Sequence, residues 1–324
     1  MNYIVFDLEW NQSPGGKKYS NSRLPFEIIE IGAVKLNEKK EIVDRFQRLI
    51  KPKVYNRIHN SIHEVIHMNY KDLQNGIPFE QAVREFLKWC GKEYLFFTWG
   101  NQDVMELQRN MKFYGMLGMI PGPVKYYNVQ KLFAIRYEEN HECRALEYAA
   151  DQLGIEKKMD FHRALGDAYY TACILQKIED AYILPNFSID VYQNPKSKKE
   201  EIHISYPTYD KFVSREFAAR EKVMKDREVT STKCPLCHNP AKRKIRWFMN
   251  NSKVYYSVSL CQEHGYVQGK IRIRRTEENQ YYVIKTLTNI SEEEAEEIKL
   301  KRDAHKAKRK KADQEKQFDI KGVK

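Results

Sequence analysis

The chain has 324 residues, 42% of them hydrophobic and 12% aromatic, enough apolar material for a packed core and too much for a disordered chain. No apolar run reaches bilayer length, MNYIVFDLEW lacks the layout of a secretory signal, and six cysteines, three of them clustered late, are too few for a disulfide scaffold of this size, so a reducing, cytoplasmic setting is expected. The formal net charge of +12 is uneven, with 25 Lys/Arg against 24 Asp/Glu in residues 1–185 and 31 against 20 in residues 186–324, and a basic second part on a near-neutral first part points to a polyanionic partner, most often nucleic acid.

From the N-terminus, Tyr3–Phe6 is a β-rich start that runs into FDLEW. A spacing of two places Asp7 and Glu9 on one face of a strand. The residues before them are apolar, so the acids are expected at the C-terminal end of a buried strand, where α/β sheets place their ligand sites. Two carboxylates held together repel unless a cation lies between them, and oxygen ligands suit magnesium or manganese. A lone D-x-E is more often two exposed acids, so this pair needs company to carry chemistry.

A second strand is predicted at Ile28–Val34 within FEIIEIGAVKL, and a third at Phe46–Ile50. HNSIHEVIHMN follows. His63 to His67 fit H-E-x-x-H, a zinc-protease pattern, with His59 at the same spacing. The downstream HEVIHMNYKDLQNG does not extend it into a longer zinc motif, so the match is read as false. Phe79–Trp89 has helical spacing and Leu95–Trp99 reads as a short buried strand. Helices are expected around 102–115, 144–153 and 163–182. Asp103 falls in the first turn of one; His162 and Asp167 stand five apart at the start of the longest. Three early strands followed by β–α alternation predict an α/β domain with a mixed sheet over residues 1–185.

Residues 186–232 read as a linker, with Pro195–Lys199 as its loose part and a charged helix over Tyr209–Arg227. Residues 233–288 are aromatic and β-rich. Cys234 and Cys237 form C-x2-C; after 23 residues Cys261 and His264 form C-x2-H. Two such knuckles separated by β-rich sequence are a zinc-ribbon signature, and four protein ligands leave no open position, so one structural Zn²⁺ is expected. His238 directly follows Cys237, which makes closure on the same metal awkward. Lys242, Arg243, Lys244 and Arg246 flank Trp247 and Phe248, while Lys270, Arg272 and Arg274 share one face of a strand. Cations beside aromatics can follow a phosphate backbone and stack bases. Residues 289–324 predict a basic tail, an exposed or partly disordered helix opened by a Ser291–Glu294 capping box.

FDLEW, EIIEIGAV, WGNQD and HRALGDA, in this order and at these distances, resemble the DEDD superfamily of 3′–5′ exonucleases. The His–x4–Asp ending marks its histidine-bearing branch, DEDDh, and the set looks most like the Eri/KapD-type enzymes beside the proofreading and RNase T nucleases. The resemblance covers about residues 1–183 and implies an RNase H-like mixed sheet flanked by helices. It implies two Mg²⁺ or Mn²⁺ ions held by Asp7, Glu9, Asp103 and Asp167. Asp7 would be shared by both ions and Asp103 would assist, and His162 would take the proton of the attacking water. The product would be a nucleoside 5′-monophosphate.

The family usually has a compact insert between the first two strands; here polar Asn11–Pro25, containing SPGGKK, is expected to form a mobile rim. Trp10 stands where a small residue is frequent, and would either stack on a base or pack. The stretch from Ile66 follows the relatives' layout for the pocket of the 3′-terminal nucleotide, with His67 at the histidine position and Met68 where glycine is common. The reading is an exonuclease acting on single-stranded nucleic acid, RNA favoured over DNA, with no membrane and no identifiable protein partner. The alternatives are a single-stranded DNA exonuclease and a non-catalytic RNA-binding protein on the same fold.

Overall fold

Strand β1 (Asn2–Gln12) is the axis of the first of two units, Met1–Gln193, which is followed by Asn194–Lys324. The structure, a computed structural model, describes residues 1–60, 62, 70–250 and 252–321, with side chains through residue 307. In the first unit, β1 pairs antiparallel with β2 (Phe26–Leu36), and β2 with β3 (Ile42–Leu49). On its other side β1 runs parallel to β4 (Tyr94–Thr98), which runs parallel to β5 (Val124–Asn128); β6 (Ser188–Asp190) closes the edge antiparallel. The order β3-β2-β1-β4-β5-β6 is the mixed sheet that the strand pattern predicts.

Alternation along β1 feeds two cores. Ile4, Phe6 and Leu8 point to one face, where α1 (Phe79–Cys90) and α2 (Gln102–Phe113) pack through Phe86, Val104 and Leu107. Val5 points to the other, where α3 (Val129–Tyr137), α4 (Leu146–Gln152) and α5 (Ala164–Lys177) pack through Leu132, Ala149, Ala168 and Ala172. By the same alternation Asp7 and Glu9 lie on the Val5 face. The parallel pairing with β4 ends at Val5 and Phe97, whereas β1 runs on to Gln12 as a hairpin with β2. The acids are therefore not at the end of their strand; they lie past the end of its parallel neighbour.

One glycine sets the height of α5. A Cβ on Gly32 would lie 2.1 Å from the Ala164 backbone carbon, so the first turn of α5 rests directly on β2. The Asn11–Pro25 insert, expected as a mobile rim, is tied down: Leu24 is buried, its carbonyl accepts a 2.8 Å bond from the Tyr55 hydroxyl, and the Asn21 N–H donates to the same hydroxyl at 3.0 Å.

The second unit is a six-stranded antiparallel sheet in the order β7-β8-β12-β11-β10-β9. Its strands are β7 (Ile202–Ser205), β8 (Tyr209–Val213), β9 (Lys242–Met249), β10 (Val254–Cys261), β11 (Gly265–Arg275) and β12 (Tyr281–Ile290). The sheet is larger than the ribbon the cysteines imply. Tyr209–Val213, expected in a charged helix, is a strand instead, because Phe212 and Val213 alternate into the two faces and β12 supplies its ladder. Helix α6 (Glu292–Lys321) opens with the predicted box: the Glu294 N–H donates to Ser291 Oγ at 3.2 Å, and the Ser291 N–H to Glu294 Oε2 at 2.8 Å. Its first turns do bury a face, with Ala295 and Ile298 each 6% exposed against Ile245 and Val258. Among the described residues, no helix is long and apolar enough to cross a membrane.

Candidate active site and metal centre

Four acids and one histidine converge on a polar cavity of about 380 Å³ in the first unit. Asp7 and Glu9 come from β1, Asp103 from the first turn of α2, and Asp167 from the first turn of α5. His162 comes from the loop before α5, with Trp10, Trp99, Asn101 and Gln130 in the walls. Carboxylate oxygens of Asp7, Glu9 and Asp167 all lie within 4.8 Å of one another. Asp103 is 4% exposed and accepts a 3.3 Å bond from the Leu8 N–H, which ties α2 to β1 between the two acids. Where Glu9 gives way to Trp10 the pairing with β2 slips by a residue, a bulge of the kind that re-aims side chains beside sites.

The loop bearing His162 is shaped from α5. Tyr170 Oη accepts from the Met159 N–H at 2.8 Å and donates to the Met159 carbonyl at 2.5 Å, while its ring stacks on Phe161 with centroids 4.2 Å apart. His162 itself has φ of 61°, a left-handed backbone unusual for a non-glycine residue, and its N–H donates to Asp167 Oδ1 at 3.2 Å. That bond fixes the spacing of the pair while the imidazole stays exposed.

The electrostatics are those of crowded, buried carboxylates. Burial, and then the Asp103, Glu9 and Asp167 carboxylates, hold the Asp7 carboxyl well above the usual range. Burial, with Asp167, Glu30 and Asp103 nearby, pushes Glu9 up to about 8. Burial lifts Asp103 to about 7 and Asp167 to about 6 against the backbone N–H groups that bond them. The Arg163 guanidinium relieves Glu9 only in part. Arg163 makes a two-pronged pair with Glu30, at 3.0 and 3.1 Å, and Glu30, opposite Glu9 on β2, is fully buried and also accepts from Gln47 at 2.6 Å. Crowded oxygen donors with only partial internal counter-charge fit hard divalent cations such as Mg²⁺ or Mn²⁺.

The other expected site residues fall as follows. Trp10 packs on Phe26, ring centroids 6.0 Å apart, and against the adjoining core, while one side reaches the cavity. His67 and Met68, with His63 and Glu64 of the false protease match, lie outside the described residues. Lys270, Arg272 and Arg274 share one face of β11 in the second unit, and Arg272 and Arg274 are exposed. Trp247 is not a free platform there; its indole N–H donates to the Thr230 carbonyl at 3.0 Å and its ring covers Gly269. Glu30 and Arg163 were missed in the sequence; the signal available was an acid inside an otherwise aliphatic strand, which must be paired if buried.

In the second unit Cys234, Cys237, Cys261 and His264 bring their ligand atoms within 4.8 Å of one another. Cys261 Sγ lies 3.6 Å from Cys237 Sγ and 3.8 Å from His264 Nδ1. Burial pushes the Cys234 thiol up, but the N–H groups of Cys237 and Leu236 and the Asn289 amide outweigh it and take it down to about 7. His238 turns away, with Nδ1 3.6 Å from Asp210. Three sulfurs and one imidazole in this grouping fit tetrahedral Zn²⁺.

The family model of the RNase T exonucleases matches residues 4–175, more than half of the chain. Among solved structures, the nuclease domain of 3′hExo, a DEDDh family member bound to rAMP, is 20% identical over 54% of this chain and 90% of that one, with a TM-score of 0.47. Cell-death related nuclease 4 is 17% identical over 58% and 66%, with a TM-score of 0.47. E. coli exonuclease I in complex with a dA16 oligonucleotide is 13% identical over 54% and 40%, with a TM-score of 0.41. No curated protein sequence matches the chain.

Proposed function

Because the chain belongs to the RNase T exonuclease family, we propose that it removes nucleotides from the 3′ end of single-stranded nucleic acid, RNA in preference to DNA. The products would be nucleoside 5′-monophosphates. The observation that carries the reading is the convergence of Asp7, Glu9, Asp103, Asp167 and His162 on one cavity from β1, α2, α5 and the loop before α5.

Asp7, Glu9 and Asp167 would hold one divalent cation, and Asp7 with Asp103 would serve a second. Bound there, such ions supply Lewis acidity, which makes a hydroxide-like nucleophile available near neutral pH and stabilises the departing oxygen. The chain's own residues do the rest. The Leu8 N–H keeps Asp103 turned toward β1, and the His162 N–H keeps Asp167 turned toward the cavity. The exposed imidazole of His162 takes the proton of the attacking water on a ring nitrogen and releases it to solvent. Arg163, paired with Glu30, stays out of the cavity and offsets the charge of Glu9 only in part. RNA is placed first because FDLEW and EIIEIGAV look most like the exoribonuclease branch. In the second unit we assign one structural Zn²⁺ to Cys234, Cys237, Cys261 and His264, and a nucleic-acid contact to the β11 cations Lys270, Arg272 and Arg274.

The test is end-labelled single-stranded RNA and DNA of one sequence, incubated with Mg²⁺ and the wild-type or Asp7→Ala chain. The expected result is stepwise shortening from the 3′ end, faster on RNA, and abolished by Asp7→Ala. Intact substrates, or shortening that Asp7→Ala leaves unchanged, would overturn the reading.

A further inference from the structure

The face of the second sheet opposite the Cys/His cluster holds a cavity of about 620 Å³. Strand register builds its floor. Tyr256 of β10 pairs with Phe248 of β9 on one side and with Lys270 of β11 on the other, so two rings and an ammonium form one row across three strands. The ring centroids are 6.3 Å apart, and Lys270 Nζ lies 5.8 Å from the Tyr256 centroid. Helix α6, seated by Ala295 and Ile298, passes along the edge and adds Lys301 and His305. No acidic side chain lines the groove among the described residues. Lys301 does pair with Glu297 at 3.3 Å, but both are more than 60% exposed, and such a pair yields readily to a stronger anion. Arg272 and Arg274 continue the same face of β11 beyond Lys270.

We propose that this groove seats a nucleotide of single-stranded nucleic acid, its base against Tyr256 and Phe248 and its phosphate between Lys270 and Lys301. The inference rests on the nucleic-acid substrate proposed above and adds a second, non-catalytic site for it. The volume lies within the roughly 300–1,000 Å³ of pockets that enclose small ligands. Aromatic faces take any base, and cations follow the backbone, which is how strands are held without sequence reading. Burial, and then Arg272 beside it, lowers the pKa of Lys270 from its ordinary value, and an anion in the groove would relieve that cost. The chain continuing from Lys270 past Arg272 to Arg274 gives the bound strand a positive path out of the groove. The C-terminal helix becomes one wall of a binding site rather than a solvated tail.

The test uses the full chain carrying Asp7→Ala, so that no substrate is consumed, and a labelled single-stranded RNA of about eight nucleotides, within the span one such surface covers. Binding is titrated at several salt concentrations. Replacing both rings, Phe248→Ala with Tyr256→Ala, is expected to weaken binding about tenfold or more. Because that pair also packs on the sheet, Lys301→Ala is the second arm; its side chain is 72% exposed, and its pair with the exposed Glu297 is of the kind that contributes little to stability. It should weaken binding and reduce the slope of log affinity against log salt by about 0.7, the loss of one phosphate contact. Wild-type affinity and slope in Lys301→Ala would overturn the proposal, as would equally effective displacement of the RNA by an acidic peptide. Hydrolysis of a dinucleotide by the chain with Asp7 intact is measured separately. Inactivity there counts against the exonuclease reading and leaves the groove result to stand alone.

Discussion

In the first unit, Asp7, Glu9 and Asp167 crowd their carboxylates within 4.8 Å and burial drives their pKa values up; in the second, Cys234, Cys237, Cys261 and His264 are equally close, yet the Cys234 thiol is drawn down to about 7. The difference lies in what surrounds the ligands. Around Cys234, backbone N–H groups and the Asn289 amide already favour the charged form, while at Cys237 the Asn239 N–H is outweighed by burial and by the Cys261 and Cys234 sulfurs, which hold that thiol up. Around the carboxylates, Arg163 is paired with Glu30 and relieves Glu9 only in part, and the N–H bonds to Asp103 and Asp167 do not offset burial. A closed cluster in which backbone donors already hold one thiol toward its charged form suits a metal that stays. A cluster left uncomfortable, beside a cavity with an exposed histidine, suits metals that take part in chemistry.

The sharpest way to break this contrast is to remove one ligand from the closed cluster. Cys261→Ser is expected to take the zinc content from one per chain to near zero and to abolish the cooperative melting of the second unit. Structural zinc is worth about 10–16 kcal/mol in isolated finger peptides. The loss here is smaller because Val267, Leu287 and the Ile271–Val283 core remain. Metal analysis with hydrogen exchange of β11 and β12 amides reads it. Retained zinc, or unaltered protection of those amides, would show that the cluster is not the structural metal site.

The second way is to remove the open site's proton acceptor. His162→Ala should leave zinc content unchanged and lower kcat by about 10²–10⁴-fold, the usual worth of a positioned acid–base group. Steady-state kinetics on single-stranded RNA gives the answer, and a loss of less than tenfold would move the proton to solvent or another group.

How far these sites could be read in the sequence follows from how local their causes are. Asp7 and Glu9 are two residues apart on a strand, and His162 and Asp167 are joined by a bond across five residues, so both pairs survive as spacing. The cysteine knuckles are local for the same reason. Arg163 and Glu30 are separated by 133 positions and meet only because α5 lands on β2, which no window of sequence contains. Val129–Tyr137, reading VQKLFAIRY, gives no one-sided pattern because apolar residues occupy too much of its circumference. The β7–β8 hairpin was hidden by its charges: HIS and YDKFV read as polar until β12 supplies the ladder that makes them strands. The groove under α6 needed three strands in register, and so could not be seen from β11 alone.

A smaller effect separates positioning from chemistry. Gly32→Ala puts a methyl 2.1 Å from the Ala164 backbone, so α5 must lift away from β2 and carry Asp167 with it. Overpacking of this kind costs about 1–3 kcal/mol, and displacement of a reacting group by about 1 Å can lower turnover roughly 10²-fold. Thermal unfolding and kcat measured together test it. A stable variant with full activity would mean that the Asp167 position is not set by this contact.

The smallest effect is the most direct test of opposite electrostatic plans, and it is read from pH with chelator present. The carboxylates of Asp7, Glu9, Asp103 and Asp167 have raised native pKa values, so the native state binds more protons than the unfolded chain between about pH 4 and 8. Stability of the first unit therefore falls as pH rises through that window. The Cys234 thiol has the contrary sign. Its native value near 7 lies below its ordinary 9, so its contribution is present above about pH 9 and is lost as pH falls toward 7. Between pH 7 and 8 the exchange protection of β1 amides, corrected for the intrinsic rate, should decline while that of β11 rises. Adding Mn²⁺ at pH 8 should restore β1 strongly, and at pH 5, where protons already occupy the carboxylates, much less. If β1 protection is flat with pH and indifferent to Mn²⁺, the carboxylates are not the repelling cluster that the cation would relieve.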